Sequence, residues 1–270
     1  MAQFASRAPA GGSLLRGLQI QRRVLSALMV RHLIGEFGRE NVGFLWIVIT
    51  PLLLCGGVLI VRSLITAPFE HGVSLIAIIF SGYMQLTLFR HLTNGGVFLL
   101  RRSAGLLYHR HVTLLDTVLA MIALEFISCS VAFVVVYWVL ITFGLLDPIV
   151  DYGLVAAGWL TMAFLSAGIA SAFAVLTELY ERADRFIQPA QYLILPLCGF
   201  IFMVEWLPYY VQKLAWWMPT VHCYEMLRAG LFGGKAVTHY DAWYPLLWGL
   251  GLLSWSIPKL EKARERMRFG

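Results

Sequence analysis

Few side chains in this sequence are spaced to do chemistry. His109, His111 and Asp116 have the composition of a metal triplet, but they read first as a basic cluster at a membrane interface, and no metal is expected. Gly233, Gly234 and Lys235 are the nearest approach to a phosphate-cradling loop. That loop needs Gly where Ala229 stands and a hydroxyl where Ala236 stands. If this protein uses ATP, another chain must hold the nucleotide and its Mg2+, so no cofactor and no catalytic residue are expected here. Glu125 lies in an apolar run, where a carboxylate serves either a proton relay or a hydrogen-bonded structural role. Cys55, Cys129, Cys198 and Cys223 form no C-x-x-C pair, which supports neither a disulfide framework nor a zinc site.

The elements around these residues are long apolar runs broken by short polar loops. The chain has 270 residues, 59% hydrophobic and 13% charged, against roughly a quarter charged in soluble domains. Spans of ~20 residues cross a ~30 Å hydrocarbon core. They are read at about 44–63, 73–92, 113–143, 153–176, 189–204 and 242–258. Span five is expected to start at Pro189 and span six to close at Pro258. The fold class is therefore an all-α membrane protein with six transmembrane helices, in one domain over 1–270. Small residues at Gly158, Ala167, Gly168, Ala170 and Ser171 predict close helix packing in span four. Residues 13–37 alternate Leu, Val and Ile with Arg at helical spacing, which predicts a basic amphipathic helix lying in the interface. The N-terminal charges interrupt what would be the apolar core of a signal peptide. Residues 205–240 are apolar but broken by prolines and charges, and are read as two short helices dipping into the outer leaflet.

Alternating sides at each span sorts the cations. The N-terminal side collects 17 of the 21 Lys and Arg residues: Arg7, Arg16, Arg22, Arg23, Arg31, Arg39, Arg90, Arg101, Arg102, Arg110, Arg182, Arg185, Lys259, Lys262, Arg264, Arg266 and Arg268. The opposite side keeps Arg62, Lys213, Arg228 and Lys235. Cationic loops stay cytoplasmic, so both termini are placed in the cytoplasm of a multi-pass protein. The net charge of +6 sits beside apolar spans, where it meets anionic lipid rather than nucleic acid. Tyr83, Tyr192, Phe200 and Phe202 lie deeper than an interfacial aromatic belt, and either line a path on which sugar rings could slide or simply pack. Residues 95–111 and 177–188 are short inside elements on which a motor could push, or solvated loops.

Two motifs carry a resemblance. Arg31, Phe37, Gly43, Leu45 and Trp46, followed by Pro51, resemble the start of type-2 ABC exporter permeases. Pro219, His222, Glu225, Arg228 and Phe232 are similar to a segment of capsular polysaccharide exporter permeases, with Met218 where that family commonly has Asn. The resemblance covers essentially the whole chain. It implies a homodimer on two ATP-binding cassette ATPase subunits in a bacterial inner membrane, exporting a lipid-linked, often acidic polysaccharide. Periplasmic co-polymerase and outer-membrane export proteins would be further partners. It also implies that 13–37, with Arg31 and Arg39, form a gate helix, and that 205–240 form an outer gate. Arg101, Arg102, His109, Arg110, Glu181, Arg182 and Arg185 would engage the ATPases. Trp46, Tyr83, Tyr192, Phe200, Phe202, Trp206, Trp216 and Trp217 would line the substrate path. Arg62, His222 (when protonated), Arg228 and Lys235 would meet the polymer's acid groups. For Arg228, an internal ion pair with Glu225 stands beside that role.

Overall fold

The computed structural model describes residues 69–70, 72–103, 114–180 and 182–269, with isolated positions at 23, 26–30, 49, 53, 56, 57 and 60. Nearly all of the span read at 44–63 and of the helix read at 13–37 lies outside the described residues. A two-residue hairpin, β1 (Phe69–Glu70) with β2 (Val73–Ser74), turns at Gly72. Helices follow: α1 (Leu75–Ser103), α2 (Leu114–Thr142), α3 (Tyr152–Leu179), α4 (Ala183–Ile194), α5 (Tyr209–Ala215), α6 (Pro219–Phe232) and α7 (Trp243–Phe269). By length and composition, Leu75–Val97 of α1, Leu115–Thr142 of α2 and all of α3 can cross a membrane. Apart from the hairpin the regular elements of the described chain are helices, as the apolar runs require when lipid offers the backbone no hydrogen bonds.

α3 is the centre, packed on α1, α6 and α7. Its start is fixed by Asp151, whose carboxylate accepts from the N–H groups of Gly153 and Leu154 at 2.8 and 3.1 Å. The carbonyl of Gly230 in α6 accepts from the Val150 and Asp151 N–H groups, tying the α2–α3 turn to α6. At Gly158 a Cβ would meet the backbone nitrogen of Leu227 at 2.6 Å, so only glycine lets α3 and α6 approach this closely. The core is aromatic: Phe80, Phe133 and Trp159 stack at 5.1 and 4.7 Å, and the Trp159 indole donates to Ser130 at 2.9 Å. The side of α2 that leaves the bundle carries Ile127, Val131, Val134, Val135 and Trp138, as a lipid-facing surface should.

Three boundaries differ from the sequence reading. α1 does not stop near residue 92 but continues through Asn94, Gly95 and Gly96 to Ser103. The two glycines do not break it because Gly95 fits against Met121 and Gly96 against the Ala170 backbone, so packing offsets their low helix propensity. The region read as one span over 189–204 is instead α4 followed by a 3-10 turn at Leu195–Leu197 and non-helical backbone. Pro189 lies inside α4 rather than starting it, and the helix ends one residue before the turn that contains Pro196. The last helix does not end at Pro258, because α7 runs through it to Phe269. Residues 205–240 do contain two short helices, α5 and α6.

Candidate functional site

The backbone after α4 leaves helical geometry at depth, so its carbonyls need partners from elsewhere. Gly199 turns the chain at φ 97°, a conformation that favours glycine. Arg228, fully buried on α6, supplies the missing donors. Its guanidinium donates to the carbonyls of Gly199 (2.9 Å), Phe200 (2.8 Å) and Phe202, while Nε donates to the Ser81 hydroxyl on α1 at 3.2 Å. Glu225, one turn earlier, works in the other direction and accepts from the Val204 and His239 N–H groups at 3.2 and 3.0 Å. The two side chains thus hold different stretches of backbone, and no direct ion pair joins them. Gly82 completes the arrangement, since a Cβ there would collide with the Phe200 carbonyl and sit 3.2 Å from Nη2 of Arg228. α6 begins with Pro219 at its first position, and Met218 offers no side-chain cap.

His222 on the same helix is also committed. Its Nδ1 accepts from the Asp241 N–H at 3.0 Å, and its Nε2 faces the Trp216 carbonyl at 3.0 Å. That network assigns the tautomer with hydrogen on Nε2. Trp216 and Tyr244 flank the ring at 5.3 and 5.1 Å. Further polar contacts join α1 to its neighbours. His91 Nδ1 lies 3.0 Å from the Glu125 carboxylate, and with Cys129 these donor atoms fall within 4.8 Å of one another. The trio offers three ligands, one short of a tetrahedral metal site. Across the α1–α4 groove, Gln188 reaches Asn94 at 3.5 Å, and Arg90 donates to the Tyr192 hydroxyl at 3.2 Å.

Residues 23–232 match the ABC-2 type transporter family. The chain belongs to that family. This ABC-2 chain is 34% identical over 93% of its length to the capsule polysaccharide export inner-membrane protein CtrC of Neisseria meningitidis serogroup B, covering 94% of that protein. It is 30% identical over 88% of its length to the capsule polysaccharide export inner-membrane protein BexB of Haemophilus influenzae, covering 90% of it. It is 24% identical over 81% to the polysialic acid transport protein KpsM of Escherichia coli, covering 84%.

In the ABC-2 chain the residues expected at the site separate into groups. Arg228 and His222, offered as partners for polymer acid groups, are sealed inside and bonded to protein. The Nδ1 atom of His222 is already occupied by the Asp241 N–H. Lys235 is exposed and pairs with Asp147 at 2.7 Å, in a turn that ends a helix rather than preceding one as a phosphate loop does. Trp216, Trp217 and Tyr192 are exposed, whereas Tyr83, Phe200 and Trp206 are partly buried against the core and Phe202 packs against a separate cluster of Val204, Ala215 and Val221. Arg182 and Arg185 are exposed at the start of α4. Arg101 and Arg102 occupy the last turn of α1. Trp46, Arg62, Arg31, Arg39, His109, Arg110 and Glu181 lie outside the described residues. Sequence reasoning missed Ser81 and Gly82, which only the fold brings to Arg228. It also placed Arg90 at a span's end, and the helix that carries Arg90 continues past it to Ser103.

Proposed function

We propose that this chain is the permease subunit of an ATP-driven exporter of lipid-linked capsular polysaccharide across a bacterial inner membrane. The observation that carries the reading is the near end-to-end similarity to proteins named for capsule polysaccharide export, at 34% identity over 93% of this chain. Two copies and two separate ATPase subunits would make the transporter, with ATP and Mg2+ held by the ATPases and no covalent chemistry in this chain. The termini and the basic loops face the cytoplasm. ATP-driven closure of the ATPases pushes on the end of α1 and on the α3–α4 connection. α1 and α6 grip the non-helical backbone after α4 through Ser81, Gly82 and Arg228, so movement of α1 is passed to the segment before α5. Polymer then moves along the seam between the two copies, with co-polymerase and outer-membrane proteins receiving it.

The test is deletion and purification together. A strain lacking this chain should lose surface polysaccharide and retain polymer inside. The purified chain should carry the ATPase encoded beside it in a two-plus-two complex that hydrolyses ATP. A strain with normal surface polymer, or a chain that binds no ATPase, would overturn the reading.

A further inference from the structure

The groove between α1 and the α4 end is lined by Leu86, Phe89, Arg90, Gln191, Tyr192 and Cys198, among others. Its walls are mostly apolar and its polar groups are few and convergent. Arg90 lies within the apolar stretch Leu75–Val97, where a cation faces a bundle interior or a watery path. Among the described residues, no carboxylate lies within ion-pair distance of it. Its contacts are to a neutral group: the guanidinium lies 5.2 Å from the Tyr192 ring centroid and donates to that residue's hydroxyl. Beside it, Gln191 is 8% exposed and its Nε2 has no hydrogen-bond partner. A buried amide donor without a partner is costly. Tyr192 is 56% exposed and so leaves ring surface open.

We propose that this groove is a subsite for an acidic sugar of the transported polymer, a role that rests on the exporter reading above. A carboxylate matches the planar guanidinium of Arg90. A ring hydroxyl or acetamido oxygen accepts from Gln191 Nε2. The C–H face of the sugar lies on Tyr192. A lipid phosphate could satisfy Arg90 but has no ring for Tyr192. The site holds a segment weakly, one acid group at a time, as a sliding polymer requires.

The experiment uses the full chain with its ATPase in phosphatidylcholine nanodiscs. Binding of a galacturonic acid trimer and of maltotriose is followed by saturation-transfer NMR and titration. Arg90→Ala should weaken the acidic trimer tenfold or more and leave maltotriose within twofold, while Arg90→Lys falls between. Gln191→Leu and Tyr192→Ala should weaken both sugars. Equal losses of both sugars in Arg90→Ala, or no loss in either, overturn the subsite. So does a wild-type complex that turns over ATP yet binds neither trimer. Replacing part of the lipid by phosphatidylglycerol separates the sources: displacement of the acidic trimer by that lipid, reversed by Arg90→Ala, would make this a headgroup site and overturn the proposal. A chain that assembles with no ATPase instead removes the exporter reading beneath it.

Discussion

Arg228 holds three main-chain carbonyls and a hydroxyl from inside the bundle, which gives it a part in holding the fold. Arg228→Ala would strip partners from three carbonyls at ~1 kcal/mol or more each, a loss of about 3 kcal/mol. Arg228→Lys keeps the charge but cannot present a planar fork to several acceptors, and should recover only part. Thermal unfolding of the detergent-purified protein checks both, with Tm falling in the order wild type, Lys, Ala. An Arg228→Ala protein with wild-type Tm and lost export would return Arg228 to the polymer. Lys235, exposed and paired with exposed Asp147, is the opposite case. Its removal should cost no more than about 1 kcal/mol, as surface pairs do.

At the scale of elements, two close approaches decide how helices are coupled. Gly82→Ala puts a methyl into the Phe200 carbonyl and should destabilise by about 1–3 kcal/mol, the usual cost of overpacking. Gly251→Ala in α7 meets nothing within 4 Å and should be neutral or slightly stabilising. Heating both variants and measuring the monodisperse fraction by size exclusion distinguishes a local clash from a general intolerance of alanine. The unbroken course of α1 to Ser103 makes it a continuous lever from the hairpin to its basic last turn. Reversing Arg101 and Arg102 to Glu should reduce ATPase copurification while membrane insertion is unchanged.

For the whole molecule, the distribution of cations gives a topology that labelling can read. In a cysteine-free background, a cysteine at 147 should react with an impermeant maleimide from outside intact spheroplasts. One at 182 should react only after permeabilisation. The reverse pattern would invert the orientation and remove the ATPase-facing role of the α3–α4 connection. The buried polar node and the aromatic core meet on α1, where Phe80 precedes Ser81 and Gly82, so loosening one should loosen the other.

Composition and charge placement alone determined that this is a helical membrane chain, because apolar length and the position of Lys and Arg act locally and need no partner to be read. The motif around Pro219, His222, Glu225 and Arg228 was legible as a unit, and so was the small-residue face of α3. What those residues touch was not. Arg228 finds Ser81 and three carbonyls 26 to 29 residues earlier in the chain, and the break after α4 exists because a buried arginine can bond the freed backbone. Pro189 and Pro258 look like helix boundaries in sequence, yet tertiary packing carries both helices through them. Arg90, Gln191 and Tyr192 come together only where the fold lays α4 against α1. Sequence spacing records neighbours along one helix; a groove between two helices is set by side-chain fit across them.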